Sequence, residues 1–147
     1  VRQMPSNAIS GVGTKFSRWS GAAWVDIAEI LTLDGPDKKR ETIDVTNLDS
    51  ADGYREFIAG FRDGGSVKMS MNFTRDTYDQ MNDDFESDTR QTYEIRFPDV
   101  DNTSFSFLGL VTELGLKTAG DKQIMADVTV KISGAITLDS GSGPAPA

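Results

Sequence analysis

The chain has 147 residues, 37% of them hydrophobic and 26% charged, with no Cys, no His and a formal net charge of −8. Without Cys there are no disulfides, thiolate nucleophiles or cysteine metal sites, and without His there is no Ser-His-Asp chemistry and no usual zinc ligand. The length suits one domain with a real core, and 23 acidic against 15 basic residues is not the basic footprint of a protein that grips nucleic acid. No apolar run approaches the roughly 20 residues of a membrane-spanning helix.

Residues 1–10 are polar, lack the charged start and apolar block of a signal peptide, and read as an N-terminal arm. Residues 11–20 predict a short extended segment with Phe16 and Trp19 as apolar positions. Residues 23–33 (A-W-V-D-I-A-E-I-L-T-L) predict a strand with apolar residues on both faces, as in a strand covered on both sides. One face carries Val25, Ile27, Leu31 and Leu33, interrupted by Glu29. The other carries Trp24, Ala28 and Ile30. Residues 34–40 form a turn and charged loop, and residues 41–46 alternate again, so the two segments predict a long hairpin with an exposed tip.

Asp49 or Ser50 is a candidate helix cap. Tyr54, Phe57, Ile58 and Phe61 follow at i, i+3, i+4 and i+7, which predicts a helix with these four as its packing core. Asp63-Gly64-Gly65 would end it. Residues 66–74 alternate strictly, with Val67, Met69, Met71 and Phe73 on one side. Residues 75–87 predict a second helix, capped by Thr74 or Asp76. Tyr78, Met81 and Phe85 would face inward, and Asp76, Asp79, Asp83, Asp84, Glu86 and Asp88 outward. Residues 90–98 predict a strand with Tyr93, Ile95 and Phe97 inward. Residues 103–116 predict a long strand with Phe105, Phe107 and Val111 on one face. Gly109 and Gly115 fall on that face too and suggest a bulge or close approach. Residues 123–133 alternate with Ile124, Ala126, Val128, Val130 and Ile132 on one face. Residues 139–147, rich in Gly, Ser, Pro and Ala, predict a flexible tail. The sum is a mainly β single domain over residues 11–138, a β-sandwich or partly open barrel with one or two short flanking helices.

Few motifs carry chemistry. Asp99, Asp101 and Thr103 imitate the start of a calcium loop, but the sixth and twelfth positions are Ser104 and Leu110 where Gly and Glu are needed, so an Asp/Asn-rich turn is expected. Asp83 and Asp84 are adjacent on a helix and point apart, a poor glycosidase pair. Residues 11–15 lack the spacing of a phosphate loop. Asn72-Phe-Thr and Asn102-Thr-Ser match glycosylation acceptors with nothing to mark secretion. The acidic outer face of the second helix is either solvated or meets a basic neighbour in an assembly. The rows Ser66, Lys68, Ser70, Asn72, Thr74 and Asp127, Thr129, Lys131, Ser133 are either solvent faces or the wall of a water-filled channel built from many copies, where long strand edges are safe. The chain is expected to be a non-enzyme without cofactors.

The run I-D-V-T-N-L-D-S-A-D-G-Y-R-E-F-I-A-G-F-R-D-G-G-S-V-K-M-S-M-N-F resembles the core of tail tube proteins from long, non-contractile-tailed bacteriophages, the lambda-like group. F-S-F-L-G-L-V-T (residues 105–112) and V-T-V-K-I-S-G (residues 128–134) resemble that family's closing strands, and the resemblance covers about residues 20–138. It implies homohexameric rings stacked into a hollow virion tail tube, assembled in the host cytoplasm, with other tail proteins (tape measure, tail terminator, distal tail) as partners and no membrane. DNA would pass through an acidic lumen without tight binding. The loop Asp34, Gly35, Pro36, Asp37, Lys38, Lys39, Arg40 and Glu41, with the N-terminal arm, would contact the next ring. Lys68, Ser70, Asn72, Asp127, Thr129 and Lys131 are the candidate lumen face, though two of the six are lysines. Relatives with an added immunoglobulin-like domain exist, and none is expected here. The alternatives are a secretion-system tube ring or tail completion protein of similar fold and, from another class, a carboxylate enzyme or sugar-binding β-sandwich.

Overall fold

The computed structural model describes residues 11–27 and 30–140. Among these are nine strands and one α-helix: β1 (Lys15–Trp19), β2 (Trp24–Ile27), β3 (Ile30–Asp34), β4 (Lys39–Asp44), β5 (Phe57–Asp63), β6 (Ser66–Asn72), α1 (Arg75–Glu86), β7 (Gln91–Arg96), β8 (Thr103–Lys117) and β9 (Met125–Ser140). Seven strands make one antiparallel sheet in the order β2-β1-β7-β8-β9-β6-β3, while β4 and β5 pair only with each other.

The two outermost strands, β2 and β3, are nearly consecutive in the chain. The step from Ile27 to Ile30 spans at most about 11 Å, so the sheet must curl until its opposite margins approach. The result is a partly open barrel, not a closed one, because β2 and β3 do not pair with each other. Two long strands form its spine. β8 pairs with β7 through residues 104–109, and β9 pairs with β6 through residues 125–131. Register shifts between Ser106 and Leu108 and between Val111 and Glu113 are bulges that let this ribbon bend and twist.

The core follows from period-2 alternation. Phe16, Tyr93, Ile95 and Phe107 come from one wing of the sheet, and Val67, Met69, Met71, Ala126, Val128, Val130 and Ile132 from the other. Helix α1 adds Met81, fully buried. Thr74 stands at its N-cap, though its side chain makes no capping hydrogen bond.

Several expectations are corrected. Residues 54–61 are not a helix: after a single 3-10 turn at Ala51–Gly53 the chain enters strand β5. The helical spacing of four apolar residues competed with the two-residue period of Phe57, Ala59 and Phe61, and tertiary pairing decided it. Gly60 marks the strand, since a Cβ there would lie 3.1 Å from the Glu41 Cβ across the hairpin. The expected hairpin of residues 23–33 with 41–46 is also absent, because β3 pairs with β6 and β4 with β5. Gly109 does mark a close approach, with room for a Cβ blocked by Val130 at 2.6 Å, but Gly115 has open space beside it. The bulge after Val111 inverts the alternation, so Leu114 rather than Gly115 packs on the core. β9 runs on to Ser140, two residues into the expected tail. The readings for residues 1–10, 141–147, Ala28 and Glu29 lie outside the described residues.

Candidate functional site

The β4–β5 ribbon is an arm. It leaves the sheet at Asp34, the end of β3, and returns at Ser66, the start of β6. Its two roots are fastened together tightly. Gly65 has φ +78°, and a Cβ there would clash with the Asp37 carbonyl oxygen; Gly35 has φ +108°, and a Cβ there would lie 2.5 Å from the Ser66 carbonyl oxygen. Both positions therefore require glycine. Lys131 on β9 donates to the Asp63 carboxylate at 3.1 Å, tying the root to the body. The Gly65 amide and Lys131 hold that carboxyl below the usual carboxylate range.

Beyond the root, none of residues 37–63 is buried. Cross-strand neighbours Ile43 and Ile58 occupy one face of the ribbon and Phe57, opposite Asp44, the other; a register shift between Arg40 and Thr42 adds a residue to β5 and breaks the alternation before Phe61. Phe61 is 86% exposed and Tyr54 74%, with Phe57 and Ile58 about half exposed. So Tyr54, Phe57, Ile58 and Phe61, expected as a helix core, are instead surface residues of an arm that is apolar on both faces. A ribbon with two apolar faces is suited to burial on both sides, and the described residues leave it uncovered. The tip, residues 45–56, is held by short polar contacts: Ser50 donates to the Glu56 carboxylate at 2.7 Å, and the Val45 amide to the Glu56 carbonyl at 2.9 Å.

The loop Asp34, Gly35, Pro36, Asp37, Lys38, Lys39, Arg40 and Glu41 is thus the arm's root and first strand, not an exposed hairpin tip. The structure brings the six candidate lumen residues onto one face of the β6–β9 pairing. Lys68 faces Thr129 and Ser70 faces Asp127 across the β6–β9 pairing, and Lys131 lies one row on, opposite Ser66; Asn72 faces Met125 at the row's end. On the flanking strands Asp34 faces Lys68 and Glu113 faces Thr129. This polar face carries alternating charges. Lys117 pairs with Asp127 at 3.2 Å, and Ser70 donates to Asp127 at 2.6 Å. The Ser70 hydrogen bond, then Lys117, holds the Asp127 carboxyl below its usual range against the opposing effect of burial.

One polar cluster escaped sequence reasoning. Asp84, expected on the outer face of the helix, is buried. It accepts two 2.8 Å hydrogen bonds from the Arg18 guanidinium and one of 2.8 Å from the Tyr93 hydroxyl. Burial alone would lower the Arg18 guanidinium, and the Asp84 hydrogen bonds and charge outweigh it and leave it raised. Burial, then the Asp84 charge, pushes the Tyr93 hydroxyl far up. The cluster clamps α1 to β1 and β7. The available signal was spacing, since Asp84 follows the inward Met81 by three residues. Asp99 accepts from the Thr103 amide at 2.7 Å and from its hydroxyl, so the calcium-loop imitation is a self-contained turn. Among the described residues no group of three or more acidic side chains is placed to hold a metal ion.

A family model described as "Lambda phage tail tube protein, TTP" matches residues 9–139. No curated protein matches the chain. The tail of an empty gene transfer agent particle, described with C6 symmetry, superposes with a TM-score of 0.77 at 20% identity, covering 90% of this chain and 100% of that one. The SPP1 tail tube gives 0.68 at 9% identity, covering 91% and 80%. The sheath-tube complex of an extracellular contractile injection system gives 0.68 at 10%, covering 92% and 93%. At these identities the similarity is one of fold.

Proposed function

The chain belongs to the lambda phage tail tube protein family and is a structural protein of a virion tail, and from that premise we propose that it acts by self-association into six-membered rings that stack as a hollow tube. The observation that carries this reading is the arm: a two-stranded ribbon with two exposed apolar faces is marginal alone in water and becomes favourable when neighbouring copies cover it. The C6 description of the gene transfer agent tail supports the ring number. In this reading the root residues 34–41, with the N-terminal arm, contact the next ring.

In this reading the face of Lys68, Ser70, Asn72, Asp127, Thr129 and Lys131 lines the bore. Its lysines are offset by Asp34, Asp63, Glu113 and Asp127, so the wall holds no unbalanced positive strip to seize phosphates. DNA then passes without tight binding, in keeping with a net charge of −8. Tape measure, terminator and distal tail proteins would meet the tube at its interior and ends. The work is mechanical rather than catalytic.

Replacing residues 43–58, and with them Ile43, Tyr54, Phe57 and Ile58, by a short Gly-Asn turn that joins the paired Thr42 and Ala59 tests the reading. The expected product is a folded monomer that no longer forms tubes under electron microscopy. Tubes of normal appearance from the shortened arm would refute it.

A further inference from the structure

Two regions of the surface carry charge that the described residues leave largely uncompensated, and the signs are opposite. At the arm root, Arg40 and Arg62 stand directly opposite each other in the β4–β5 pairing. Like charges at that position destabilise a hairpin. Lys38 and Lys39 adjoin them, lining a groove of about 550 Å³. Among the described residues Arg40, Arg62 and Lys38 make no salt bridge, and Lys39 faces Asp63, whose carboxylate is already held by Lys131.

On α1, Asp76, Asp79, Asp83 and Glu86 recur at i, i+3, i+7 and i+10, a single stripe on the side away from the buried Met81 and Asp84. Asp79 is paired with Arg75 at 3.0 Å, and among the described residues the other three make no salt bridge. Asp83 and Glu86 sit in the closing turns, where the helix dipole disfavours anions, and the last turn contains no base. Each arrangement breaks a local rule at a cost to the isolated chain, which marks positions chosen for something outside it. Among the described residues no ion pair joins the two regions within one molecule.

We propose that the basic groove at the arm root of one copy receives the acidic outer face of α1 from a second copy. The pairing rests on the self-association reading and gives it a specific, salt-sensitive contact. The apolar faces of the arm supply burial, and the groove and helix fix which copy lies where, the usual division between apolar and charged parts of an interface.

The test uses two charge-reversed variants, R40E/R62E and D83K/E86K, examined alone and mixed in equal amounts. Each alone opposes like charges at every such contact and is expected to raise the critical concentration for tube formation roughly tenfold or more. In the mixture every groove finds a helix of opposite sign on the other variant, so tubes containing both are expected to return. Either variant assembling alone like the wild type would overturn the proposal, and so would two folded variants whose mixture stays unassembled. R40Q/R62Q, which relieves the internal repulsion, covers a folding failure of the reversed forms: it should melt no lower than wild type yet assemble less well, and unchanged assembly overturns the proposal. A wild-type protein that forms no tubes sinks the self-association reading itself, whereas tubes indifferent to these substitutions sink only the pairing.

Discussion

Phe61→Thr separates the two roles that residue 61 could have. Thr keeps the β propensity of the position and removes the ring. Phe61 is 86% exposed, so of the roughly 200 Å² of a Phe side chain, about 170 Å² is free in the monomer. Its loss should change monomer stability by no more than about 0.5 kcal/mol, about 2 °C in melting temperature for a chain of this size. If a neighbouring copy covers that area, about 25 cal/mol per Å² makes the ring worth up to about 4 kcal/mol. The methyl of Thr recovers part of this, leaving a loss of about 2–3 kcal/mol. That corresponds to an association constant weaker by roughly 30- to 150-fold. Circular dichroism melts give the first quantity and sedimentation of assembled from free protein the second. A fall in melting temperature of more than about 5 °C would show that the ring packs within the monomer. An unchanged critical concentration would show that no copy covers it. Either result refutes the reasoning.

Two further predictions concern the body of the subunit. Asp84→Ala leaves the half-buried Arg18 without its partner and Tyr93 without its acceptor, so stability should fall by about 3 kcal/mol, about 10 °C by melting; R18M/D84L should recover most of that, and a single variant within about 2 °C of wild type would contradict the clamp. Asp26 is held below its usual range first by the Ser17 hydroxyl at 2.6 Å, and Asp127 by Ser70. Their contribution to stability is therefore fully present above the unfolded value near about pH 4 and is lost as pH falls through the lower folded values. S17A and S70A should then destabilise more at neutral pH than at about pH 3; an equal effect at both would contradict the assignment.

The core strands were legible because they obey a simple period. Val67, Met69, Met71 and then Ala126, Val128, Val130, Ile132 alternate without a break, and burial follows them. The helix at residue 75 was legible for the same reason at its own period. The arm was not, because an exposed ribbon escapes the pattern rules, which assume that apolar residues face a core of the same chain. Tyr54, Phe57, Ile58 and Phe61 fit a helical stripe numerically, and only Gly60 and the opposed charges of Lys39 and Asp63 hinted at a hairpin. Bulges were equally hidden. The inversion after Val111 moves Gly115 off the core face, and no residue type at that point announces it. Asp84 was misplaced because burial of an aspartate depends on Arg18, 66 positions away in the chain. The polar row on β6 and β9 was legible as a row, and its neighbours Asp34 and Glu113 emerged only from the sheet order.

The most direct measurement is negative-stain electron microscopy of the intact purified protein over a rising concentration series. Rings about a sixfold axis that grow into long, hollow, stain-filled tubes are the predicted result. Particles the size of a single subunit at every concentration would contradict it.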